Sequence, residues 1–156
     1  LMLAVSYDYN NNAVKSRSNR GVYMENDIGF YETDIKTMFI DAVLKYKGFS
    51  FMGEYSNRDA EDPIAKNSDG TETGVVIQEG YGVNLQSGYL FTKNWEVTGR
   101  FSTINMKNQD VSNQYTLGVS KYIIGHKLKV QSDISYLTIA NLDNNIMFRL
   151  QLDVHF

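Results

Sequence analysis

The sequence predicts an all-β chain, an antiparallel transmembrane β-barrel, and three observations predict it. Apolar and polar residues alternate with a period of two through about eight segments, a spacing that puts successive side chains on opposite faces of a strand. The links between segments alternate between tight turns and long polar loops, the organisation of bacterial outer-membrane barrels. Aromatic residues gather where the segments end, as in the interfacial girdles of membrane barrels.

The period is clearest in the last segment, 146–156. Ile146, Phe148, Leu150, Leu152, Val154 and Phe156 fall on one parity, and Met147, Arg149, Gln151, Asp153 and His155 on the other. A helix would scatter both sets around its axis. In 81–91, Tyr81, Val83, Leu85, Tyr89 and Phe91 oppose Gly82, Asn84, Gln86 and Gly88, and in 127–136, Leu128, Val130, Ile134 and Tyr136 oppose Lys127, Lys129, Gln131, Asp133 and Ser135. The same test marks strands at 1–9, 35–46, 49–57, 95–104 and 114–123, several near the length that crosses a bilayer at a tilt. Lys47-Gly48, Thr92-Lys93-Asn94 and Ile124-Gly125-His126 read as tight turns. Longer links at 10–33, 58–76, 105–113 and 138–144 are crowded with Gly, Asn, Asp and Ser, which favour turn geometry.

Alternation alone does not say which face looks outward, and a soluble lipocalin-like calyx would put the apolar face inside. Volume argues against that, because an eight-strand interior holds side chains or one small ligand. The opposite parity carries Asp41, Lys45, Glu54, Glu96, Arg100, Lys129, Asp133, Arg149 and Asp153, a set suited to water or mutual pairing and not to lipid. The expected arrangement is apolar side to hydrocarbon, polar side to the tube. Tyr7, Tyr9, Tyr46, Phe49, Phe91, Trp95, Tyr136 and Phe156 stand at strand ends. They read as girdles, although aromatic preference for sheets would also place some there. Lys121 sits on the apolar parity and is expected to snorkel toward the interface near the turn.

Composition narrows the classes. The chain has 156 residues, a formal net charge of −3, one Pro, no Cys, 11 Tyr and 8 Phe. Absent cysteine removes a disulfide framework and thiolate metal sites. The mild negative charge without a basic patch argues against nucleic acid. No run reaches the 18 apolar residues of a membrane helix, a test blind to membrane strands. No export signal is present, and the opening Leu1-Met2-Leu3-Ala4-Val5-Ser6-Tyr7 reads as the start of a mature or truncated product.

The run Gly80-Tyr81-Gly82-Val83-Asn84-Leu85-Gln86-Ser87-Gly88-Tyr89-Leu90-Phe91, followed by Trp95-Glu96-Val97-Thr98-Gly99-Arg100-Phe101, resembles the phosphate-selective porin O and P family. So do Tyr115-Thr116-Leu117-Gly118-Val119, Gly125-His126-Lys127-Leu128-Lys129-Val130-Gln131 and the ending Arg149-Leu150-Gln151-Leu152-Asp153-Val154-His155-Phe156. The likeness is strongest over 78–156. It implies a general porin of about sixteen strands, commonly trimeric, with a loop folded into the channel. On this resemblance, 1–156 is one barrel domain forming the C-terminal half, with the constriction loop and any anion-binding ladder largely outside it. The terminal Phe156 resembles the signal read by the barrel-assembly machinery.

Candidate chemistry is sparse. The two His lie in a turn and at the terminus, no G-x-S-x-G nucleophile motif occurs, and no metal-ligand spacing is present. No enzymatic activity, cofactor or metal is expected. Candidate pore-lining residues are Lys45, Arg100, Lys129, Arg149, Asp133 and Asp153. Rings of Arg and Lys favour anions, yet acidic residues on the same parity nearly balance them, so two readings stand: salt bridges within the wall, or an anion path. The loop Asp59-Ala60-Glu61-Asp62-Pro63, with Asp69 and Glu72, could bind a divalent cation or simply be solvated. Gly82, Gly88 and Gly118 are expected to ease close approach within the wall.

The functional expectation is a Gram-negative outer-membrane porin passing small hydrophilic solutes, with an anion or phosphate preference as the resemblance implies. Its expected partners are outer-membrane lipid, lipopolysaccharide, the assembly machinery and a homotrimer or larger surface complex. The rival is a complete small barrel serving as anchor, adhesin or accessory subunit through its loops.

Overall fold

A computed structural model of the chain describes residues 1–17, 21–124 and 127–155. In chain order the strands are β1 (Met2–Ala13), β2 (Glu25–Asn26), β3 (Gly29–Phe30), β4 (Thr33–Tyr46), β5 (Phe49–Ala60), β6 (Ile64–Lys66), β7 (Glu72–Val76), β8 (Gly80–Phe91), β9 (Trp95–Met106), β10 (Ser112–Tyr122), β11 (Leu128–Ile139) and β12 (Asn145–Val154). No helix occurs among the described residues. Eight strands form one antiparallel meander in the order β1-β4-β5-β8-β9-β10-β11-β12. They are the eight expected segments, several extended by two to four residues. Of the three tight turns, Gly125-His126 and also the terminal Phe156 lie outside the described residues.

The register keeps every apolar parity on one side. One row runs Leu3, Ala42, Gly53, Leu85, Phe101, Tyr115, Tyr136, Ile146 across all eight strands. A slip of one residue at any pairing would reverse the faces beyond it, and none occurs across these rows. Among the described residues the register of the large sheet shifts between Asn10 and Ala13, at a bulge. There Asn12 takes a left-handed φ of 50°, and the Asp34 carboxylate accepts the Asn12 amide and the Asn11 side chain, each at 2.9 Å.

The two faces differ in crowding. Tyr81, Leu85, Leu150 and Leu152 are 40, 41, 71 and 62% exposed, whereas Ser120, Asp133 and Ser135 on the other face are 4, 9 and 1% exposed. The polar face is the more closely packed one, the arrangement expected of the concave, inner side of a curved sheet. A soluble calyx would require the reverse.

The sheet is open. β1 and β12 each pair with one neighbour and not with each other, so the described residues form a wall and no closed barrel.

The loops expected at 10–33 and 58–76 contain structure that alternation did not reveal. β2 with β3, and β6 with β7, form two short hairpins. They enclose the buried cluster of Ala13, Met24, Ile35, Ala65 and Ile77. Asn67 Oδ1 accepts the Asp27 amide at 3.1 Å, Asp27 Oδ1 accepts the Ser68 amide at 2.8 Å, and the Ser68 hydroxyl bonds the same carboxylate. Ile35 shares its face with Asp41 through the period of β4, so the hairpins fold over the polar side at the long-loop end.

Candidate functional site

All six candidate pore-lining residues stand on the inner face. A row of paired positions runs Lys45, Ser50, Gly88, Thr98, Gly118, Asp133, Arg149. Its middle consists of small residues because the strands crowd there. A Cβ on Gly118 would come within 2.7 Å of Thr98 Oγ1, and one on Gly88 within 2.9 Å of Thr98 Cγ2. Gly82 has more room, with Ser56 Oγ at 3.4 Å. The expectation of close approach therefore holds at Gly88 and Gly118, and both press on Thr98.

Four of the six form cross-strand ion pairs. Arg149 Nη2 lies 3.0 Å from Asp133 Oδ1, which also accepts Arg149 Nε at 3.0 Å. Lys129 Nζ lies 3.1 Å from Asp153 Oδ2. These partners face each other directly in the β11–β12 register, where opposite charges stabilise the ladder. Other acids are engaged too: Glu54 accepts Asn84 Nδ2 at 2.7 Å, and Glu96 accepts the Tyr122 hydroxyl at 2.6 Å.

Arg100 and Lys45 differ, since among the described residues neither joins an ion pair. Arg100 Nε is buried without a hydrogen-bond partner, beside a polar recess of about 310 Å³ that Gln86, Thr116 and Ser120 also line. A larger depression of about 690 Å³, lined by Leu85, Phe101, Tyr115, Leu117 and Ile134, lies on the apolar face. Its lining is mainly apolar, and Arg100 also borders it.

The hairpins and the upper sheet enclose a third space of about 590 Å³, bordered by Phe39, Arg58, Val76, Gly82 and Ile104. Arg58 Nε donates to Thr37 Oγ1 at 3.3 Å. Sequence reasoning placed Arg58 in a loop, although the parity of Ser50, Met52, Glu54 and Ser56 continues through it. Glu79, also at this border, accepts Lys107 Nζ at 2.9 Å and the Ala60 amide at 3.0 Å. Lys107 is raised above the ordinary lysine value, first by Glu79 and then by Asp59.

The Thr71 hydroxyl and amide bond Asp69 and hold it below the usual carboxylate value. Among the described residues no group of three His, Cys, Asp or Glu is close enough to hold a metal ion. Lys121 reaches toward the turn: its Nζ donates to the Lys93 carbonyl at 2.6 Å and lies 5.0 Å from the Trp95 ring centre.

No family model, curated protein or solved structure matches the chain.

Proposed function

We propose that this chain is the C-terminal part of a Gram-negative outer-membrane porin through which small hydrophilic solutes diffuse. The observation that carries the reading is the register: it gathers a mainly apolar face on one side of eight strands and a polar face on the other, with ion pairs between β11 and β12. At about 4.8 Å per strand that apolar face is roughly 38 Å wide, beyond the apolar patches of soluble monomers. Strands of 10 to 14 residues rise about 3.4 Å per residue and cross a hydrocarbon core of about 30 Å when tilted.

The two free edges support a larger barrel. Unpaired backbone groups cost several kcal/mol each in hydrocarbon, so β1 and β12 need further strands beside them, and a lumen widens with strand number. The hairpins folded over the inner face would narrow such a lumen at its long-loop end. Pairing of Asp133 with Arg149 and of Lys129 with Asp153 favours a nearly neutral wall over an anion ladder. The partners on this reading are outer-membrane lipid, lipopolysaccharide, the assembly machinery and copies of the same protein. The full-length protein in a planar bilayer is expected to give stable ohmic current steps; absence of ion flux would end the porin reading.

One observation favours the rival: the docked hairpins present a built surface at the loop end, as a small anchor or adhesin would need. That rival predicts membrane insertion without conductance.

A further inference from the structure

We propose that the short-turn rim of the sheet binds anionic phospholipid headgroups, holding monoanionic phosphodiesters against its lysines. The inference rests on the membrane reading above. Charge is distributed unevenly along the strand axis. Lys47, Lys93, Lys121 and Lys127 mark the short-turn end, and among the described residues none of them joins an ion pair. The rim carboxylates are committed on the inner face, Asp153 to Lys129 and Glu96 to the Tyr122 hydroxyl. The long-loop end instead mixes both signs, with Lys15, Lys66 and Lys107 outnumbered by Glu25, Asp27, Glu32, Asp62, Asp69 and Glu72.

Backbone geometry singles out two of these lysines. Lys47 and Lys93 adopt left-handed φ values of 45° and 74°. Tight hairpin turns favour Asn, Asp or Gly there, because a Cβ is disfavoured in that region. Lysine offers the turn no such advantage, so its charge is the property that explains its presence.

The surroundings point to lipid over bulk anions. Phe91 and Trp95 are about half exposed on the outer face, with Tyr46 and Phe49 along the same end. Lys121 lies over Trp95 at 5.0 Å and Lys47 over Tyr46 at 5.3 Å. Rings at headgroup depth with ammonium groups beside them match an acyl chain ending in a phosphate. Lys93 stands in the adjoining turn, where its carbonyl accepts Lys121 Nζ at 2.6 Å.

Trp95 is the only tryptophan in the sequence and makes the rim observable. The full-length protein, with other tryptophans replaced by Phe, is reconstituted in mixed phosphatidylcholine and phosphatidylglycerol vesicles. In matched samples, either lipid carries brominated chains that quench nearby indole. Phosphatidylglycerol is expected to be enriched about fivefold around Trp95, the worth of one lysine against an anionic surface. That preference should disappear in K47Q/K93Q/K121Q and persist in K15Q/K36Q/K66Q. Equal quenching by the two lipids, or preference surviving in the rim variant, overturns the proposal while leaving the bilayer reading intact. Quenching by neither lipid overturns both.

Discussion

Thr98 shows how one inner-face position limits its neighbours. Both flanking strands place glycine against it, and the Cβ of an alanine at 118 would meet its hydroxyl. We expect Gly118→Ala to destabilise the protein by about 1–3 kcal/mol through overcrowding, and Thr98→Ala in the same chain to restore most of that loss. Denaturant unfolding in lipid would measure both; a Gly118→Ala chain as stable as the parent would contradict the crowding. The ion pairs are likewise unequal. Asp133 is 9% exposed at its side chain and Asp153 is 31%, so Asp133→Ala should cost about 1–3 kcal/mol and Asp153→Ala under about 1 kcal/mol. Equal losses would show that burial does not distinguish the two pairs.

At the scale of elements, the hairpins and the sheet are stabilised by different means. The sheet relies on continuous ladders, whereas the hairpins rely on a small apolar cluster and the Asp27 bonds. The Ser68 hydroxyl and amide hold Asp27 below the ordinary carboxylate value of 3.8. A depressed folded value means the contribution is complete above about pH 4 and is lost as pH falls through the folded value. Exchange of the Ser68 amide should therefore accelerate on acidification below that point, beyond its intrinsic pH dependence, while amides of β9 and β10 stay protected. Met24→Ala removes a fully buried side chain from the same cluster, a change that typically costs 2–5 kcal/mol. Proteolysis confined to the 14–32 and 61–79 segments is the expected result, and simultaneous loss of the eight-strand sheet would show that the units are not separable. These hairpins were hidden in the sequence because strands of two to five residues are too short to display a period.

On the scale of the whole molecule, the porin reading makes a prediction about charge. Arg149→Gln alone leaves Asp133 unpaired facing the tube, so the balanced comparison is Arg149→Gln with Asp133→Asn. That double change should leave the anion-to-cation ratio nearly unaltered, and adding Arg100→Gln to it should shift the ratio only slightly. A large loss of anion preference in the second case would make the cations a path instead of part of a paired wall.

The sequence by itself determined the strand positions, their two faces and the tight turns at 47–48 and 92–94, because a period of two and a turn's residue preferences are local properties. Leu150 and Arg149 could be assigned to opposite sides without knowing any partner. Only the tertiary structure decided that Arg149 meets Asp133, that glycines 88 and 118 crowd Thr98, that Arg58 extends the inner face, and that Ile35 is covered by Ala65 and Ile77. Those facts depend on register and on contacts between residues distant along the chain, which alternation within a single strand does not encode.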